Sequence, residues 1–224
     1  MTPVLITLLM VTPTASSAVT PLCGTSPVAA IQLDHRDLAV VDTLEALYRT
    51  GRDFATFYEV AEGRREVLVE TYERASVPPD LVARTVAAGG PWRILAVAMD
   101  GCSDSVNSLP YLARLVEAAD NIDLRIIDSK VGRFLMDQRQ TPDGRAATPT
   151  ILLLDAAGRE VGCWIERPAA LQQWMDEHRE TLTDDALFEG KMAWYREDAG
   201  KETLREIVEL IERAARGEGA ACAV

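Results

Sequence analysis

Cys102 closes an apolar run in Met99-Asp-Gly-Cys-Ser-Asp-Ser105, Pro110 follows eight positions later, and Thr148-Pro149-Thr150 leads into a second apolar run, Ile151-Leu-Leu-Leu154. A thiol so placed can be a nucleophile. A helix starting at Ser103 would turn free backbone N–H groups and the positive end of its dipole toward Cys102. Both stabilise a thiolate over a thiol, and the thiolate is the attacking form. Asp100 and Asp104 oppose this, because a neighbouring negative charge disfavours a second anion. Ser105 lies one turn along the same face, where its hydroxyl can donate to the sulfur. The ordinary structural reading makes Cys102 a small buried hydrophobe followed by common first-turn residues.

The elements that must hold these residues are read from hydrophobic periodicity. Apolar residues recur at three- and four-residue steps from Leu38 to Tyr48, and Gly51 ends that segment. Further helical patterns surround Phe54–Ala61, Val67–Tyr72 and the start signal Pro78-Pro79-Asp80, before Gly89-Gly90-Pro91 breaks the chain. The run 93–99 has the length and continuity of a strand covered on both faces. A helix over 103–119, a strand over 123–128, a short helix over 131–140, strands over 150–154 and 161–165 and a helix from Pro168 follow. Pro110 falls inside the first of these helices, where it kinks the helix or divides it in two. The order β-α-β-α-β-β-α predicts an α/β fold with a four-stranded mixed sheet and helices on both faces. Two more helices, near 184–197 and 202–216, complete a division into five segments. These are an uncharged leader at 1–33, a helical extension at 34–90, a core at 91–181, C-terminal helices at 182–216 and a flexible tail at 217–224.

At 224 residues the chain can build one substantial core. Its net charge of −12 argues against nucleic acid and anionic membranes, which it would repel. The four cysteines, Cys23, Cys102, Cys163 and Cys222, form no CxxC pair, and only two histidines, His35 and His178, accompany them. That set fits neither a zinc site nor a disulfide scaffold, and no metal or cofactor is expected. The leader carries no charged side chain, and Val4 to Val11 form an apolar run too short to span a bilayer. Ala15-Ser-Ser-Ala18 resembles a cleavage site, yet no basic segment precedes it. A secretory signal, with a periplasmic or secreted protein, and a leader on a cytoplasmic protein both fit.

A cysteine at the first strand-to-helix junction, the proline eight residues on and the Thr-Pro step before a strand together resemble the thioredoxin superfamily. Cys102-Ser-Asp-Ser105, with Asn107, Leu109-Pro110, Gly144-Arg-Ala-Ala-Thr-Pro-Thr150 and Arg167-Pro168, is similar to a bacterial thioredoxin-like group with Cys-x-Asp-Ser in place of Cys-Gly-Pro-Cys. The resemblance covers about 36–216 for the group and 92–180 for the core fold. It implies a thioredoxin-like fold, a cis Thr148–Pro149 bond packed against the thiol, and an edge at Thr148 that pairs with an extended peptide or thiol substrate. Three departures limit what carries over. Ser105 replaces the second cysteine, Gly101 the tryptophan before the nucleophile, and Ala96 the buried aspartate of the preceding strand.

The first function expected is therefore a monothiol thiol-disulfide oxidoreductase, with Cys102 attacking protein or small-molecule disulfides and Ser105 beside it. A second is a redox-inactive module binding extended peptide beside Pro149. A third is a thiol peroxidase or redox sensor. A distant cysteine could resolve a Cys102 intermediate, and Cys222 on a Gly-rich tail is the candidate, while Cys163 reads as a packed core residue. Arg145 and Arg167 flank the Thr-Pro step and the last core helix. They either line the groove and hold a substrate carboxylate, or pair with Asp143 and Glu166. Trp194 and Tyr195 are expected to dock the C-terminal helices onto the core.

Overall fold

In the computed structural model, which describes residues 35–219 and Cys222, the apolar run Trp92–Ala98 forms β1 at the centre of a four-stranded sheet. With β2 (Ile122–Asp128), β3 (Thr150–Leu154) and β4 (Glu160–Ile165), the order is β2-β1-β3-β4. β1 and β2 run parallel, with Trp92 beside Ile122, and the β1–β3 and β3–β4 pairs are antiparallel. Every residue of β3 and all but Arg93 of β1 are buried, as strands without polar alternation require. This is the expected α/β fold. The leader calls and Cys23 lie outside the described residues.

Nine helices are described: α1 (His35–Thr50), α2 (Phe54–Val60), α3 (Arg65–Arg74), α4 (Pro79–Ala87), α5 (Ser103–Ala118), α6 (Arg133–Asp137), α7 (Ala169–His178), α8 (Asp184–Asp198) and α9 (Lys201–Ala215). They cover the two faces of the sheet unequally. Leu95, Val97, Leu152 and Leu154 pack on one face against Leu44 and Tyr48 of α1 and Leu135 and Met136 of α6. On the other, Ile94, Ala96, Ile151, Leu153 and Trp164 meet side chains of α2 to α5 and α9. Leu204, Ile207, Val208, Leu210 and Ile211 of α9 are all 1% exposed or less. At about 1.5–3 kcal/mol for each aliphatic side chain removed from water, apolar burial dominates the docking of α9. None of the described helices is long and apolar enough to cross a membrane.

Both sheet edges carry attachments. At β2, Arg52 exchanges two backbone hydrogen bonds with Ile126, at 2.8 and 2.7 Å, so this edge is partly blunted. At β4, Cys163 and Trp164 face opposite sides of the strand. Trp164 Nε1 donates to Glu206 Oε2 of α9 at 2.6 Å. Cys163, on the far face, is joined by a disulfide to Cys222. The thiol expected free on a mobile tail is thus tied to the sheet.

The helix expected over 131–140 is confined to Arg133–Asp137. Arg139 ends it: its Nη1 takes the carbonyl of Leu135 at 2.9 Å, while the same guanidinium pairs with Glu160 of β4.

Candidate functional site

Cys102 ends the loop after β1 and is the N-cap of α5, with extended backbone at φ −68° and ψ 123°. Its N–H donates to Met99 O at 3.2 Å, and its carbonyl accepts from the N–H of Val106 at 3.0 Å. The half-buried sulfur is the free thiol of the described residues. It donates to the carbonyl of Thr148 at 3.2 Å. Thr148–Pro149 is a cis peptide, and Pro149 is buried behind it. Cys102, Thr148 and Pro149 are therefore brought together. Ser105 is fully buried, and its Oγ has no hydrogen-bond partner among the described residues, so no bond joins it to the sulfur.

The turn between α2 and α3 grips the Cys102 loop from one side. Asp100 accepts the backbone N–H groups of Glu62 at 2.8 Å and Gly63 at 3.0 Å. The Gly63 and Glu62 amides hold its carboxyl below the usual carboxylate value. Arg64 Nε donates to Gly101 O at 2.8 Å, and its guanidinium lies 4.9 Å from the Phe188 ring centroid of α8. The backbones meet closely: a Cβ added at Gly63 would lie 2.7 Å from Gly101 Cα. Gly101 itself, at φ +78°, sits where a side chain is disfavoured.

From the other side the grip is ionic and buried. Asp104, 3% exposed in the first turn of α5, accepts from Lys191 Nζ at 2.5 Å and Tyr195 OH at 2.7 Å, both on α8. Lys191 also donates to Ser103 Oγ at 2.9 Å, so it touches the two residues that follow the cysteine. Burial, with Asp104 beside it, pushes the Tyr195 hydroxyl well above its ordinary value.

Arg167 approaches Asp104 at 3.3–3.4 Å but pairs more closely with Glu166. Glu166 has φ +67°, a sparsely populated backbone state for a residue with a side chain. Its N–H donates to Pro149 O at 2.8 Å, tying this cluster to the cis-proline loop. Arg145 bonds Glu166 at 2.9 Å and Asp143 at 2.6 Å. Arg145 and Thr141 together lower the Asp143 carboxyl to about 2. Both sequence-derived arginines are thus engaged by the protein's own carboxylates.

Cys222 does not approach Cys102; it is the partner of Cys163. Sequence reasoning offered Glu166 only as a pairing partner of the arginines, which it is, and did not single out Lys191, Gly63 or Arg64. One signal was available: Lys191 and Tyr195 stand four apart and so share a helix face. The arrangement presents one thiol at a helix start, beside a backbone edge, with apolar Met99 and Phe188 46% and 38% exposed.

A family model described as Thioredoxin matches residues 51–181. Among solved structures, the chain is similar to a protein of unknown function from Pseudomonas aeruginosa, with 23% identity and a TM-score of 0.61 over 75% of this chain and 96% of that one. It is also similar to an HIV epitope-scaffold, with 22% identity and a TM-score of 0.58 over the same shares of each chain. Curated proteins give no significant sequence match.

Proposed function

The chain belongs to the thioredoxin family, and from that premise we propose that it is a Cys-x-Asp-Ser member acting as a monothiol thiol-disulfide oxidoreductase through Cys102. The observation that carries this reading is the free, half-buried sulfur at the start of α5, 3.2 Å from the carbonyl that precedes cis-Pro149. In the proposed reaction the Cys102 thiolate attacks one sulfur of a disulfide. A Cys102 mixed disulfide forms, and the other half leaves as a thiolate. With Ser105 where a second cysteine would resolve it, an external thiol attacks the mixed disulfide. That step returns the Cys102 thiolate and yields a new disulfide of substrate and external thiol. The backbone edge at Thr148 would hold an extended partner, and Met99 and Phe188 would give it apolar contact.

Incubation with oxidised glutathione followed by intact-mass measurement tests this. One glutathione is expected on the folded chain, absent from Cys102→Ser and released by excess thiol. A folded protein whose Cys102 forms no mixed disulfide would instead favour a peptide-binding module, with affinity for extended peptide unchanged in Cys102→Ser.

A further inference from the structure

Asp104, two residues after the proposed nucleophile in the first turn of α5, is a buried acid, and a buried carboxylate needs a counter-ion. The charged and titratable groups facing Asp104 are Lys191 and Tyr195 from α8 and Arg167 with Glu166 from the turn after β4. Those bordering the cysteine loop on its other side are Asp100 and Arg64. Their distances rank their effect on Asp104. Lys191 Nζ lies at 2.5 Å, whereas Arg167 stands off at 3.3 Å and is bound more closely by Glu166. Lys191 is thus the principal counter-ion of Asp104. Its remaining contact, to Ser103 Oγ, fixes the first residue after Cys102.

Resting on the reading of Cys102 as a reactive thiol, we propose that Lys191 is a positioning residue of the site. Its ammonium neutralises the buried Asp104 carboxylate two residues from the sulfur and holds the first turn of α5 in place, so that negative charge does not oppose the Cys102 thiolate. α8, outside the four-stranded core, then contributes to thiol chemistry as well as to packing. An unneutralised carboxylate in this poorly solvated place would act on the sulfur through a low dielectric, where a single charge has its greatest effect.

The test is the pH–rate profile of Cys102 alkylation by iodoacetamide in the full chain, with Cys102→Ser as background. Lys191→Met keeps an unbranched apolar stem and removes the charge. It is expected to slow alkylation at pH 7 about tenfold and move the profile to higher pH, the size of a one-unit change. Lys191→Arg is expected to restore most of the rate. Tyr195→Phe removes a donor without removing a charge and should shift the profile the same way but less; it decides the question if Lys191→Met does not fold. A purely structural role for Lys191 would lower the melting temperature and leave the profile in place, which overturns the proposal. Glutathione exchange, measured in parallel, separates the two ideas. A shifted profile without exchange in the unaltered chain sinks the oxidoreductase reading alone. Exchange with an unmoved profile sinks the role of Lys191 alone. A Cys102 that iodoacetamide never modifies in the folded chain sinks both.

Discussion

The Cys102 loop is held from two sides by different physics. On the side of the α2–α3 turn the grip is made of backbone: two amides on Asp100, one guanidinium on a carbonyl, and two glycines in contact. On the side of α8 it is made of buried charge, with Asp104, Lys191 and Arg167 at 3%, 6% and 6% exposure. The first fixes where the loop is while water still screens its charges. The second sets the potential that the loop feels, because little water is present to screen it.

The sharpest way to break the comparison is Asp104→Ala. It leaves Lys191 and Arg167 buried without their shared carboxylate, and losing one partner of a buried pair costs about 3–5 kcal/mol. Urea unfolding should register that loss, and a loss below 1 kcal/mol would mean that water reaches the cluster. Next comes Cys222→Ser, which opens a loop closed across a sequence separation of 59 that contains α7, α8 and α9. Chain entropy predicts about 4 kcal/mol for a loop of this size, read as a lower melting temperature. Because α9 is held mainly by apolar burial, Cys102 alkylation should be little changed. Gly63→Ala should cost less, about 1–3 kcal/mol, since the new Cβ meets backbone rather than a movable side chain. Its signature would be altered Cys102 alkylation out of proportion to the stability lost.

The smallest effect is in pH, and it has opposite signs on the two sides. Asp100 has a lowered carboxyl, so its contribution is present above its ordinary value of 3.8 and fades as pH falls through the lowered one. Tyr195 has a raised hydroxyl, so its contribution is present below 10.0 and fades only as pH rises through the raised value. Amide exchange at Glu62 and Gly63 should therefore quicken first in acid, while contacts of Tyr195 persist until strong alkali. Simultaneous loosening of both sides in acid would show that they are one unit.

The sheet was legible because its signals are local. Apolar runs such as Ile94–Ala98 and Ile151–Leu154 have strand length, and Cys102 follows one of them directly. The proline positions were legible for the same reason. The ionic half of the site was not, since Asp104 finds Lys191 and Tyr195 87 and 91 positions away. In the linear chain Asp104 is a common first-turn acid and Lys191 an ordinary helix lysine. The Cys163–Cys222 bond was hidden likewise, because periodicity places Cys163 in a strand but says nothing about a partner 59 positions away.

That bond also divides the chain mechanically. A force drawn from the two ends extends the polypeptide only as far as Cys163 and then passes through the sulfur bridge to Cys222. Everything between them, including the helix that carries Lys191 and Tyr195, is shielded from tension. At 3.3–3.6 Å per extended residue, about 200 Å of contour length would stay hidden until a reductant released it. The C-terminal layer would then be the part of the molecule whose yielding under load depends on redox conditions.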